Sequence, residues 1–228
     1  MDLRRTYERK TKNGTCIVKN LSFSVFNVVS VVTVILLVVL IVMPFNLINM
    51  EQAQRIAKWK SEFEQLEYCF SLVKLHDGTI VPTEQESGQL LTDEYMFERI
   101  KPYFNFSTDT FEEIKKYSYR KKNGTAMDKD SQFYFDKFLK YKNGMVFSIK
   151  RSNKLQISEK HPSYFMYIDI NGVEKPNRIG QDVFFISIYK NHIQALGHSK
   201  DYAKLKSNCS PIGNGLYCSK YYLLGGRF

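Results

Sequence analysis

Residues 20–50 read NLSFSVFNVVSVVTVILLVVLIVMPFNLINM and contain no charged side chain. A helix of this length, at about 1.5 Å per residue, is long enough to cross a hydrocarbon core of roughly 30 Å. Valine and isoleucine favour strands in water, but a lone segment in lipid must satisfy its backbone hydrogen bonds internally and must therefore be helical. The stretch predicts a membrane-spanning helix, with a buried helix or a cleaved signal peptide as the alternatives.

The segment before this stretch is basic. Residues 1–19 carry six lysines and arginines against two acidic residues, within a net charge of +10 for the 228 residues. A basic segment directly before an apolar helix predicts a cytoplasmic N-terminus, an exported C-terminal part and contact with membrane lipid. The other basic residues are interspersed with acidic ones, which predicts no nucleic-acid partner.

The helix is expected to continue beyond the apolar stretch. Residues 51–74 read EQAQRIAKWKSEFEQLEYCFSLVK, with apolar residues every three or four positions, the pattern of an amphipathic helix. Pro44 is the one helix breaker in this length, and a proline inside a membrane helix predicts a kink and not an end. We expect one helix of about 50 residues, whose second half packs an apolar stripe on a globular domain.

The rest of the chain predicts an α+β domain with a small antiparallel sheet. β-Branched and aromatic runs, separated by Asn-Gly and Pro signals, predict strands at residues 145–150, 164–170, 183–189 and 193–196. Short helices are predicted at residues 93–101, 110–116 and 130–139, and a basic turn at residues 121–124. The predicted domains are a basic cytoplasmic leader (1–22), the transmembrane half of the helix (23–45), its amphipathic half (46–76) and an exported globular domain (77–228).

Two cysteines near the C-terminus predict a disulfide. Cys209 and Cys218 lie nine residues apart, around a proline and two glycines, in a loop that is able to close. An exported domain is the compartment in which such a bond forms. Zinc binding is the alternative, but no histidine or second cysteine pair stands at ligand spacing beside them.

The order of these features resembles type IV pilins and type II secretion pseudopilins. A basic leader, Phe23, an uninterrupted apolar helix, Pro44 twenty-one residues later and an amphipathic continuation follow one another. Residues 167–188, YIDINGVEKPNRIGQDVFFISI, resemble the Asp-x-Asn-Gly, Pro-Asn and Gly-x-Asp-x-Phe block of many bacterial pilin-like proteins. A short strand and a two-cysteine loop follow this block in the same order. The resemblance covers most of the chain from Phe23 onward, least so residues 77–142.

This resemblance implies a structural subunit anchored in the inner membrane. Such a subunit assembles with other pilin-like subunits or assembly-machine proteins into a type IV pilus or a type II secretion pseudopilus. A prepilin peptidase would cut between Ser22 and Phe23, but the family usually has glycine in place of Ser22 and glutamate in place of Asn27. The alternative is a non-assembling single-pass membrane protein whose exported domain binds a ligand or partner.

Asp169, Asn171 and Asp182 form the one oxygen-rich group with suggestive spacing. Asp-x-Asn-Gly can open a calcium loop, and some pseudopilins hold calcium near their C-terminus, so the resemblance implies calcium as a cofactor. Calcium takes six to eight oxygen ligands, which backbone carbonyls and water would have to complete. In the other interpretation Asn171 makes a turn and both carboxylates accept hydrogen bonds from backbone amides.

The sequence predicts no enzyme. The four histidines are scattered, and neither a nucleophile-elbow motif, nor a zinc-protease motif, nor a glycine-rich phosphate loop occurs.

Overall fold

The computed structural model describes residues 3–10, 16–23, 25–106, 117–141 and 143–227, with side chains from residue 27 onward except 42–49. The chain divides into two compact units, Met1–Glu51 and Gln52–Phe228.

The first unit begins with a hairpin that the sequence did not predict. Strand β1 (Leu3–Lys10) pairs antiparallel with β2 (Cys16–Phe23), with Leu3 opposite Phe23 and Lys10 opposite Cys16. Helix α1 (Val25–Asp77) starts two residues later and runs for 53 residues, close to the predicted length. The helix continues across Pro44, whose side chain lies outside the described part, so the kink stays a prediction.

The membrane-spanning helix is contradicted. Among the described residues, no helix combines the length and the apolar character that a bilayer crossing requires. The predicted fold class was therefore wrong in its transmembrane part, and the predicted inner-membrane location was wrong with it.

The second unit is an α+β fold around a five-stranded antiparallel sheet. The strands follow one another in chain order, and Tyr167 of the central strand lies opposite Ser148 on one side and Phe185 on the other. The outer strands are the shortest. The strands are β3 (Leu139–Lys140), β4 (Val146–Arg151), β5 (Tyr164–Asp169), β6 (Val183–Ile188) and β7 (Ile193–Ala195).

The first face of the sheet is covered by the second half of α1. Residues that recur at helical spacing are buried along it and join one apolar cluster with Met166, Phe184 and Ile186 of the sheet. Because only one stripe of the helix is apolar here, only that stripe is buried. The buried α1 residues are Trp59, Phe63, Leu66, Phe70 and Val73.

Trp59 is the centre of this contact. Its ring stacks on Phe184, with the ring centroids 4.4 Å apart and the planes 14° from parallel. Its indole Nε1 donates to the Ser219 carbonyl oxygen over 2.9 Å, so the polar atom of this fully buried side chain is satisfied. The tryptophan thus joins α1, the sheet and the C-terminal helix that contains Ser219.

Short helices complete the first layer. Helix α2 (Glu84–Ser87) is followed by α3 (Asp93–Ile100). Thr92 is the N-cap of α3, and its side chain accepts a hydrogen bond from the Tyr95 backbone amide. A 3₁₀ turn (Lys101–Tyr103) follows α3 and contains Pro102. Helices α4 (Tyr202–Asn208) and α5 (Cys218–Leu223) lie near the C-terminus and were not predicted.

The second face of the sheet carries aromatic side chains from residues 117–138. The helix predicted at residues 130–139 is wrong, because the structure has turns there before β3 begins. The helix predicted at residues 110–116 lies outside the described residues. The aromatic cluster on this face comprises Tyr119, Phe133, Phe135, Phe138, Phe165, Tyr167 and Phe185.

Candidate functional site

The two carboxylates singled out in the sequence lie at the ends of neighbouring strands. Asp169 ends β5 and Asp182 immediately precedes β6, and both side chains are fully buried. The carboxylate of Asp169 accepts two hydrogen bonds. Its Oδ1 accepts one from the Asn171 backbone amide at 3.1 Å, and its Oδ2 accepts one from the Tyr117 hydroxyl at 2.7 Å. The same Tyr117 hydroxyl contacts that of Tyr167. Tyr117 is a partner that the sequence did not indicate, because it lies 52 residues away.

Asp182 closes the loop between these strands. Its Oδ2 accepts from the Asn177 amide at 2.7 Å and its Oδ1 from the Arg178 amide at 2.6 Å. Asn177 has φ +48°, a left-handed conformation that asparagine tolerates better than most residues. The Asp182 carboxylate therefore holds the unusual turn that precedes it.

Burial dominates the electrostatics of this pair. It raises the pKa of Asp169 to about 8, with the nearby charge of Asp182 as the second cause. Burial likewise raises the pKa of Asp182, against the opposing effect of the two amides that donate to it. The folded protein therefore favours a protonated Asp169 at neutral pH.

The predicted calcium ligands are Asp169, Asn171 and Asp182. The contacts match the second interpretation of the sequence, a turn at Asn171 without a metal, because both carboxylates accept hydrogen bonds from backbone amides. The side-chain nitrogen Nδ2 of Asn171 donates a hydrogen bond to the Glu174 carbonyl at 3.1 Å, while the side-chain oxygen Oδ1 is buried without a partner. No group of three histidine, cysteine, aspartate or glutamate side chains in the described part of the chain is arranged to hold a metal. Calcium binding stays a prediction.

The structure contains the predicted disulfide between Cys209 and Cys218. Gly180, in the loop before Asp182, packs directly on Cys218, where a Cβ atom would collide with the sulfur. Its φ of +75° also favours glycine. The carboxylate loop and the disulfide loop therefore pack against each other without space for a side chain. Zinc binding by these cysteines is excluded while the bond is intact.

Lys122 links the loop that contains Gly180 to helix α5. The sequence placed it in a basic turn, but its side chain is buried. Its Nζ donates to the Gly180 carbonyl at 3.3 Å and to the Tyr222 hydroxyl at 3.1 Å. Burial lowers the pKa of Lys122 to about 8. These partners lie 58 and 100 residues away in the chain, so the local sequence did not indicate that Lys122 is buried.

The predicted processing residues lie at the start of the chain. Ser22 and Phe23 end strand β2, and their side chains are outside the described set. Asn27 is exposed in the first turn of α1. Cleavage between Ser22 and Phe23 stays a prediction.

The first half of α1 exposes a nearly continuous run of apolar side chains. Its twelve large apolar side chains in residues 28–41 are each between 40% and 68% exposed. Thr33, one of the few polar residues there, donates its hydroxyl to the Val29 carbonyl at 2.8 Å and so needs no partner outside the helix.

Comparison with protein-family models, with curated proteins and with solved structures returned no match. The resemblance to type IV pilins and pseudopilins therefore stays a prediction. Because the described residues contain no membrane-crossing helix, the description as a membrane-anchored pilus or secretion subunit is unsupported.

Proposed function

We propose that this protein is a non-enzymatic structural subunit that associates with other copies of itself through the first half of α1. The observation that carries the proposal is the exposure of residues 28–41. Monomeric proteins rarely expose a contiguous apolar patch above a few hundred Å². Burying a large apolar side chain stabilises an association by about 1.5–3 kcal/mol before the costs of association are subtracted.

The apolar side chains lie on every side of the helix. Residues 34–41 are eight consecutive exposed apolar residues, and a helix has about 3.6 residues per turn, so no polar face remains. A helix that is apolar all round is normally surrounded by other apolar surfaces. Several neighbouring helices are therefore needed, and a single groove on a partner would cover one side only.

A second copy of the chain is the partner that these features favour. The partner must offer an uncharged apolar helix of the same length, and every copy carries one. Closed symmetric assemblies of identical chains are the commonest oligomers. The hydroxyl of Thr33 is already bonded within its own helix, so close packing leaves it satisfied.

Sedimentation velocity of the full chain over a range of concentrations tests the proposal. We expect oligomers for the unchanged protein and a shift to monomers for the double variant Leu36→Asp, Leu40→Asp, which places two charges on one helix face. Leu75→Asp is the matched control, because Leu75 is 82% exposed on the same helix outside the apolar segment. A monomer at all concentrations, or equal effects of both substitutions, would refute the proposal.

A further inference from the structure

A cavity of about 550 Å³ opens on the second face of the sheet, beside the β7 edge. Its floor is a row across three strands, in which Phe165 lies opposite Ser187 and Ser187 opposite Gln194. Phe133 and Tyr217 line its sides. We call this cavity the Phe133 pocket. Its volume falls within the range of roughly 300–1,000 Å³ that is typical of small-molecule sites.

The walls of the Phe133 pocket are held in place by the fold. The ring of Phe133 meets that of Phe165 edge-on at 5.1 Å, and its carbonyl accepts from the Tyr119 hydroxyl at 2.7 Å. Gly197 has φ +97° and lies so close to Tyr217 that a Cβ atom would approach the Cβ of the tyrosine to 2.8 Å. The aromatic surfaces are therefore present before any ligand arrives.

The rim of the pocket carries an excess of positive charge. Lys160 and Lys200 line it, and neither forms an ion pair with a described carboxylate. Glu159 is the acidic residue at the rim, but His192 Nδ1 contacts its Oε2 at 2.9 Å and the Asn191 side chain contacts its Oε1. Two ammonium groups thus remain beside the aromatic side walls of the pocket.

Another cleft, near the end of α1, lacks this combination. Its Asp77 carboxylate is contacted by His76 at 2.6 Å and by Arg99 at 3.2 Å. Arg99 also donates to the Thr79 and Ile80 carbonyl oxygens. These charged groups already satisfy one another, so they offer little to a ligand.

We propose that the Phe133 pocket binds an aromatic carboxylate of small-molecule size. The ring of the ligand lies between Phe133 and Tyr217, whose side chains are part-exposed, and gains apolar and edge-to-face contacts there. Its carboxylate accepts charge-assisted hydrogen bonds from Lys160 and Lys200. This site is independent of the assembly proposed above, because none of its residues lies in residues 28–41.

Isothermal titration of the full chain with 2-naphthoate, in low salt, tests the proposal. We expect one molecule bound per chain, and at least about tenfold weaker binding for 2-naphthalenemethanol, which has no charge. The variant Lys160→Gln, Lys200→Gln should weaken 2-naphthoate binding by about the same factor. Lys204→Gln, Lys206→Gln is the matched control, because both lysines are exposed on α4 and the net charge changes equally.

A second variant tests the floor of the pocket. Gln194→Phe should abolish binding while leaving the unfolding temperature unchanged, because the new ring occupies the ligand's place. Lack of saturable binding at millimolar 2-naphthoate overturns the proposal, and so does equal weakening by both lysine pairs. Loss of binding in Leu36→Asp, Leu40→Asp also overturns it, because the ligand would then be bound by the apolar helix. Retention of binding there supports the pocket whatever the oligomeric state.

Discussion

Trp59→Ala should detach α1 from the sheet more than any other single truncation on the helix. The change removes a fully buried ring that stacks on Phe184 at 4.4 Å, and with it the hydrogen bond to the Ser219 carbonyl. Truncation of a buried aromatic side chain to alanine costs about 3–5 kcal/mol. For a chain of this size that corresponds to a fall in unfolding temperature of roughly 10 °C.

Trp59→Phe separates the two contributions. Phenylalanine keeps an aromatic ring against Phe184 but cannot donate to Ser219, so the expected loss is about 1–2 kcal/mol, for one hydrogen bond and a small cavity. Urea unfolding followed by far-ultraviolet circular dichroism measures both variants without relying on the tryptophan. Tyr68→Ala is the control, because Tyr68 is 66% exposed on the same helix and its loss should change stability by less than about 0.5 kcal/mol. A loss below about 1 kcal/mol for Trp59→Ala, or equal losses for both Trp59 variants, would show that the helix is held mainly elsewhere.

Two further predictions concern the loops around the sheet. Because the folded protein retains a proton on Asp169 up to its pKa of about 8 while the unfolded chain releases it near pH 4, stability should fall as pH rises between these values, by at most roughly 1.4 kcal/mol per pH unit. Asp169→Asn should flatten this slope in urea titrations at several pH values, and an unchanged slope would contradict the assignment. Replacing both Cys209 and Cys218 by serine should cost about 2–3 kcal/mol, the chain-entropy value for a loop closed over nine residues of separation. Reductant should lower the unfolding temperature of the unchanged protein but not of this variant; no difference between them would count against the bond.

The sheet could be predicted because its strands carry local signals. The runs predicted at residues 164–170 and 183–189 correspond to β5 and β6 within one residue at each end. Both strands are buried on two faces, and their β-branched and aromatic composition is what such burial requires. The cysteine pair was predictable for a similar reason, since its residues lie close together in the chain.

Other parts depended on contacts that sequence proximity does not reveal. In residues 130–139, Phe133, Phe135 and Phe138 pack on the far face of the sheet, and this packing overrides the helical pattern. Lys122 is buried by partners 58 and 100 residues away. The Phe133 pocket likewise combines segments from several turns and strands. A lysine or phenylalanine read in its local context gives no indication of such partners.

The membrane prediction failed for a different reason. The uncharged stretch led to a prediction of a membrane span, but no helix among the described residues is long and apolar enough to cross a bilayer. The apolar side chains of residues 28–41 nevertheless remain exposed, which is why they now support an association between chains.

The two shortest strands limit how such chains can meet. The outer strands β3 and β7 have two and three residues, so each sheet offers few unpaired backbone groups along its sides. Long, flat outer strands would act as templates for strand exchange and amyloid-like growth when many domains are brought close together. Because the edge strands are this short, the domains can be held at high local concentration with little risk that their sheets pair with one another.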